Sequence, residues 1–307
     1  FSPKVLIKWF LILIYFFTPY PFLVVGIFFF DALNTFSEVK NGALRLPVFT
    51  LKALTIISLS FVSMLLILSF PLTNIFLWFL ITDRAVPLLL GYFVFFLSIP
   101  TEFYRDFQIT RATLLRRKRR KLTVIGITGS YGKTSTKEFV ASILSEKFSV
   151  LKTSGTNNTP IGIAMTILKK LKSHHEIFVV EMGAYKKGEI RQLCQIVKPR
   201  IGILTAVNAQ HVSLFGSLEN VIEGKYELVE SLGRNGMALF NGNNENVSRL
   251  YRETKRRKYL YATNDTGVRA DIMGTNVVVG QRSLEFDVVF HKKTLHMKTS
   301  LLGAHNV

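Results

Sequence analysis

Only one of the 307 residues is a cysteine, Cys194, so no disulfide can close within the chain and a disulfide-stapled scaffold is excluded. Acid is scarce: 20 Asp and Glu stand against 39 Lys and Arg, a formal charge of +19. Low hydrophobicity, which intrinsic disorder needs, is also missing, since 49% of residues are apolar. No internal repeat is present, and no low-complexity tract beyond one basic run. Charge is most lacking in the first third. Residues 1–101 hold six basic and three acidic side chains, against 33 and 17 in residues 102–307. The length allows two domains, and composition divides the chain at that point. The sequence opens on Phe1, not Met, and stops at Val307 inside what reads as a continuing element, so a fragment at both ends is expected.

Trp9 to Phe30 is 22 residues without a charge, Ala53 to Thr82 is 30 more, and Ala85 to Thr101 adds 17. A membrane-crossing helix takes about 20 mostly apolar residues, and these runs lack the polar faces of helices in a soluble core. The pattern predicts a transmembrane region over 1–101 with about three spans, and a turn at Pro71 or Asp83–Arg84. Pro19 and Pro21 leave a kinked span or a re-entrant pair open. The first run is too long for a signal-peptide core of ~7–15 residues, and no small-residue cleavage site follows it. Arg111 to Lys121 reads RATLLRRKRRK, seven basic residues without an acid. By the positive-inside rule residues 102 onward then face the cytoplasm. The expectation is a multi-pass protein of the cytoplasmic membrane, with 102–121 as a basic juxtamembrane linker. Membrane lipid headgroups are the simplest partner for that linker, ahead of plain solvation, and no nucleic acid is expected.

From Lys121 the pattern changes. Leu122–Thr128, Ile177–Glu181, Ile201–Ala206 and Met237–Phe240 read as buried strands, and Lys133–Lys147 and Leu218–Leu232 as helices. Alternation of this kind predicts an α/β fold, a mainly parallel sheet with helices on both faces. Short strands over 271–300 suggest a small antiparallel addition. Gly126-Ile-Thr-Gly-Ser-Tyr-Gly-Lys-Thr134 joins a strand to a helix through a glycine-rich turn. Such a turn presents backbone N–H groups and a helix N-terminus to phosphates. Lys133 would neutralise them and the Thr134 hydroxyl would ligate magnesium. The general motif has glycine where this chain has Ile127. Downstream, Glu181 ends a strand, His211 follows one and Lys225 lies in a helix. The ends of parallel strands face the ligand crevice of such sheets. Taken singly, Glu181 reads equally as a solvated carboxylate and His211 as structural, whereas Lys225 reads first as a surface cation. Cys194 reads as packing.

GITGSYGKTSTKE (126–138), TNNTPIGI (156–163), EMGAYKKGEI (181–190), TAVNAQHVSLFGSLENVIEGKYE (205–227) and GAHNV (303–307) together resemble the Mur ligase family, in order and spacing. The likeness covers about 122–307, the family's central ATP-binding domain. It implies a P-loop-type ATP site with Gly129, Ser130, Gly132, Lys133, Thr134 and Ser135 on the phosphates. Asn157 and Asn158 line the phosphate side, and Asn306 contacts the nucleotide. Thr134, Glu181, His211 and a carbamylated Lys225 hold Mg²⁺, with Lys133, Lys225 and His211 serving catalysis. The family's N-terminal sugar-gripping domain is replaced here by the apolar third. Its C-terminal amine-binding domain does not appear before Val307, and FNGNNEN (240–246) stands where the family is more acidic.

The resemblance implies ATP-dependent amide formation through an acyl phosphate. Its blocks are most similar to those of members that join a muramoyl-peptide carboxylate to the amine of D-alanyl-D-alanine in peptidoglycan synthesis. Two rivals are a membrane-bound relative serving another polymer, such as poly-γ-glutamate, and a membrane-coupled P-loop ATPase or kinase. The latter usually ends its second strand in aspartate, whereas IFVVE ends in Glu181.

Overall fold

Alternating β-branched and amphipathic stretches give alternating strands and helices in the computed structural model. It describes residues 21–41, 49–69, 75–155, 157–209, 212–263, 267–291, 293–301, 303 and 307. Two compact units divide between Tyr104 and Arg105.

The first unit holds helices α1 (Pro21–Lys40), α2 (Leu51–Leu68) and the start of α3 (Ile75–Lys118). The multi-pass expectation is corrected here. Among the described residues one helix, Ala85–Lys118, is long and apolar enough to cross a membrane by length and composition, where three spans were expected. Counting charge-free residues misled because helix ends do not follow charge. Asp83 and Arg84 lie inside α3 and make no turn, and Pro71 lies outside the described residues. Thr50, whose Oγ1 accepts the Ala53 N–H, caps α2, which ends at Leu68. At 1.5 Å per residue its 18 residues reach about 27 Å, short of a ~30 Å hydrocarbon core. α1 runs on through Asp31 and Glu38. The first half of the 9–30 run lies outside the described residues.

In the second unit the basic stretch is no free linker. α3 continues through it to Lys118, with Gln108 and Ala112 buried. Arg116 donates from Nε to Val197 O and from Nη2 to Lys198 O. These carbonyls end helix α6 (Glu189–Val197), a helix end that welcomes a cation. Burial pulls the Arg116 guanidinium below its usual range.

The sheet comprises β1 (Thr123–Thr128), β2 (Val150–Lys152), β3 (Ile177–Glu181), β4 (Ile201–Leu204), β5 (Met237–Asn241), β6 (Lys258–Thr263), β7 (Ile272–Val279), β8 (Leu284–Phe290) and β9 (Lys293–Thr299). Their order is β2-β3-β1-β4-β5-β6-β7-β8-β9. Pairing is parallel from β2 across to β7, then antiparallel through β8 and β9. The expected antiparallel addition therefore continues the main sheet. Between the strands lie α4 (Lys133–Ser145), α5 (Pro160–Lys170), α7 (Val212–Phe215), α8 (Leu218–Glu230) and α9 (Glu245–Glu253).

Period-two side-chain alternation explains why both faces are covered. Val124, Phe178 and Val180 enter one core with Ile163, Leu193 and Leu228 from α5, α6 and α8. Ile125, Ile127, Ile177 and Val179 enter the other, under Ala141 of α4. Cys194 is buried with Sγ 3.9 Å from Met182 Sδ, and burial pushes its thiol up to about 12. It packs.

Register aligns Ile127 with Glu181 and Thr128 with Leu204, so β1, β3 and β4 end together. The chain leaves β1 toward β2 on one side and crosses to β4 on the other. This reversal is where open α/β sheets bind ligands.

Arg116→Ala should lower stability by about 1–3 kcal/mol, because two carbonyls lose a charged donor. Arg116→Lys should recover only part, since one ammonium nitrogen does not reproduce the two separate donors Nε and Nη2 of the planar guanidinium. The urea unfolding midpoint of the chain, read by circular dichroism, checks this; an unchanged midpoint for Arg116→Ala would refute it.

Candidate functional site

β1 leads into Gly129-Ser130-Tyr131-Gly132, and α4 starts at Lys133. A Cβ on Gly129 would lie 2.1 Å from Thr205 Oγ1 and 2.9 Å from Ala206 O, so no side chain fits there. Gly132 takes the left-handed conformation at φ 76° and leaves α4 without a side-chain cap. The N–H groups of its first turn are thus available to an anion. The loop is held from the β4 side. Ser130 N–H donates to Ala206 O, Thr205 Oγ1 donates to Tyr131 O, and Asn208 N–H donates to Ser130 Oγ at 3.3 Å.

Lys133 curls back over the loop, with Nζ 2.8 Å from Gly129 O and 3.0 Å from Ser130 O. Burial lowers its pKa, opposed by the nearby Glu181 carboxylate. Glu181 is only 2% exposed. Its Oε2 accepts from Thr134 Oγ1 at 3.0 Å and from Lys137 Nζ at 3.3 Å, and its Oε1 from Asn158 Nδ2 at 3.4 Å. Its N–H donates to Thr153 Oγ1 at 3.1 Å. A hydroxyl and a carboxylate oxygen beside a phosphate-type loop are hard donors suited to Mg²⁺.

Lys225 is 3% exposed, with Nζ 3.1 Å from Ala184 O and 5.6 Å from the Phe215 ring centroid. It is no surface lysine. Its pKa falls from 10.5 to about 8, through burial first and then the Lys133 ammonium, with Glu189 pulling the other way.

The structure gathers Gly129, Ser130, Gly132, Lys133, Thr134, Asn158 and Glu181 at one edge, and brings Lys225 to the loop after β3. Ser135 is exposed on the first turn of α4, and Asn157 is exposed with its N–H on Ser154 O at 3.1 Å. His211 and Asn306 lie outside the described residues. Among those described, no group of three or more His, Cys, Asp or Glu could hold a metal.

Sequence reasoning missed Lys137, Glu227, Asn244 and Asn246. Glu227, buried in α8, accepts the Gly188 N–H at 2.6 Å and the Arg191 N–H at 3.0 Å, capping α6. Asn244 Oδ1 accepts the N–H groups of Val207 at 3.2 Å and Val247 at 3.1 Å, and Asn246 Nδ2 donates to Val207 O at 2.8 Å. Both backbone groups of Val207 are thus tied to the start of α9. Val207 lies between Ala206 and Asn208, the residues that hold Ser130. An Asn before an acidic first turn is a helix-cap signal, and it could have revealed Asn244.

Residues 127–307 match the model of the Mur ligase middle domain. The chain belongs to the Mur ligase family. It is 32% identical over 184 residues to the UDP-N-acetylmuramoyl-tripeptide–D-alanyl-D-alanine ligase of Escherichia coli, covering 60% of this chain and 40% of that protein. To the Synechocystis protein of the same name it is 37% identical over 191 residues, 62% of this chain and 39% of that one. Two similar solved structures are MurF from Acinetobacter baumannii (TM-score 0.60, 26% identity, 66% and 44% covered) and MurF ligase from Thermotoga maritima in complex with ADP (TM-score 0.58, 27%, 66% and 46%). This Mur ligase chain therefore spans about 40% of the length of these two curated relatives. Family membership sets aside the reading as an unrelated P-loop kinase or transport ATPase.

Gly129→Ala should fold but lose nucleotide binding by at least about tenfold, because the loop must move off Thr205. Calorimetric titration with Mg·ADP checks it; wild-type affinity would refute the fit of the loop. Asn246→Asp should weaken the same binding about threefold or more, since a carboxylate cannot donate to Val207 O. Asn244→Asp, which keeps the acceptor, should bind as wild type.

Proposed function

We propose that this chain carries the ATP site of an amide ligase that works through an acyl phosphate. By its relatives' names, the reaction is addition of D-alanyl-D-alanine to a UDP-N-acetylmuramoyl-tripeptide. Residues 122–307 form the central ATP-binding domain in this reading. The observation that carries it is the meeting of the Gly-Lys-Thr loop, the Thr134 hydroxyl and the buried Glu181 carboxylate at the carboxyl edge of β1 and β3.

The chain's residues divide the work. N–H groups of Gly129, Tyr131 and Gly132 and of the start of α4, with the Ser130 and Ser135 hydroxyls, cradle the phosphates, while the Ser130 N–H stays on Ala206 O and fixes the loop. Lys133, now resting on two loop carbonyls, turns its ammonium to them and neutralises the charge of the transferring group. Asn157 and Asn158 line the phosphate side and Asn306 meets the nucleotide. Thr134 and Glu181, with His211 and a carbamylated Lys225, hold Mg²⁺. The Thr134 hydroxyl, the Glu181 carboxylate and a Lys225 carbamate are the hard oxygen donors this ion prefers, and it completes its shell with phosphate oxygens and water. When bound, Mg²⁺ offsets the negative charge on the phosphoryl oxygens. The substrate carboxylate attacks the γ-phosphorus and releases ADP, and the incoming amine then displaces phosphate. The chain thus supplies positioning and charge compensation and no nucleophile of its own.

In the complete ligase Lys133→Ala should reduce nucleotide turnover at least about a hundredfold while leaving the circular dichroism spectrum unchanged. Turnover at the wild-type rate would sink the reading.

Lys225 offers a second test. Carbamylation requires a neutral amine, and a pKa of about 8 leaves roughly a tenth of the side chain neutral at pH 7, against fewer than about one in a thousand at 10.5. Carbamate formation should therefore rise with pH through about 8, visible as a ¹³C-bicarbonate-derived resonance absent from Lys225→Ala. In the complete ligase Lys225→Ala should lose activity, and added short-chain carboxylate should partly restore it. An active Lys225→Arg would show instead that only positive charge matters.

A further inference from the structure

Lys137 has no exposed surface, although it lies on α4 only four residues after Lys133. A buried ammonium is costly unless oxygen atoms surround it. Here three do: Gly155 O at 2.8 Å, Glu181 Oε2 at 3.3 Å and Glu138 Oε1 at 3.4 Å. Spacing places it there, because residues three and four apart share a helix face, and Thr134 and Lys137 both reach Glu181 Oε2. Oε2 is the oxygen that faces Thr134, the hydroxyl paired with Glu181 in the metal reading above, so an ammonium already occupies part of the space around the oxygen best placed for the metal.

We infer that Lys137 is a positioning residue, the resident counter-cation of Glu181. It holds the carboxylate in place before a divalent cation arrives, and its competition for Oε2 sets the Mg²⁺ concentration that nucleotide binding requires. This rests on the reading of Glu181 as a metal-binding carboxylate. Two further features support it. The bond to Gly155 O ties down the turn that leads to Asn158, whose amide reaches the other carboxylate oxygen, so Lys137 organises both oxygens. Its lack of exposed surface also separates it from Lys133, whose half-buried ammonium rests on two loop carbonyls next to the phosphate cradle.

Removing the charge should have two opposing effects. Without the ammonium, the buried carboxylate lacks a partner and the metal-free protein is less stable. The metal, no longer facing a like charge a few ångströms away, binds more tightly. A lysine that served only the fold would show the first effect alone. One that bound phosphate directly would weaken ADP binding with and without metal.

The experiment is calorimetric titration of ADP into the chain over a series of Mg²⁺ concentrations, with thermal unfolding of the same samples. Wild type must show Mg²⁺-dependent ADP affinity; if it shows none, the metal reading of Glu181 fails whatever Lys137 does. Given that dependence, Lys137→Met should lower the half-saturating Mg²⁺ about fivefold or more. Its metal-free unfolding temperature should fall, and Mg·ADP should raise that temperature by more than in wild type. Lys137→Arg, which restores the charge, should move half-saturation back toward wild type. If Lys137→Met does not fold, Lys137→Gln, which keeps a donor for Gly155 O, is judged by the same criterion. A folded neutral variant with unchanged or higher half-saturating Mg²⁺ overturns the inference and leaves the metal reading standing. So does one that loses ADP affinity equally without metal.

Discussion

A carboxylate at the end of a fully buried strand is costly to bury without polar partners, and the site is organised around the one at Glu181. Three elements converge on it. α4 sends Thr134 and Lys137 and the turn after β2 sends Asn158 to the carboxylate, Thr153 of that same turn accepts the Glu181 N–H, and β1 lies in register alongside. None of these groups could be placed without the parallel pairing that makes β1 and β3 end at the same height. Backbone geometry therefore comes first, and the electrostatics follow from it.

Much of this was legible in the residues because the signals are local. Gly-Lys-Thr after a β-branched run marks a turn that needs glycine, and the structure supplies the reason at Gly129, where Thr205 leaves no room for a Cβ. The strands ending at Thr128 and Glu181 were read to the residue at their carboxyl ends, since buried parallel strands are uninterrupted apolar runs. What could not be read is burial that arises only when distant segments meet. Lys137 in an amphipathic helix looks like a solvated lysine until β3 and the Gly155 turn close over it. Asn246 looks like a loop residue until Val207, 39 positions away, comes to its amide. β2 and β6 were also missed, one for its three residues and the other for its polar ends.

The apolar third shows the opposite error, a strong compositional signal read too far. Absence of charge fixes how a segment partitions, but helix length is fixed by caps and breaks. Thr50 and Ser69 limit α2, while Asp83 and Arg84 fail to limit α3. The basic run after it carried two meanings at once. Arg116 is spent on the carbonyls closing α6, so part of the charge attributed to lipid attraction is structural.

The buried thiol beside Met182 has a practical consequence. Burial pushes its pKa up to about 12, so it stays a thiol at neutral pH, and the residue is 2% exposed. An alkylating reagent can therefore reach it only when α6 lifts from the sheet. Because the sequence contains no other cysteine, each modified molecule records one opening event. The protein carries its own single-site counter of local unfolding, located on the helix that receives Arg116 at one end and Glu227 at the other.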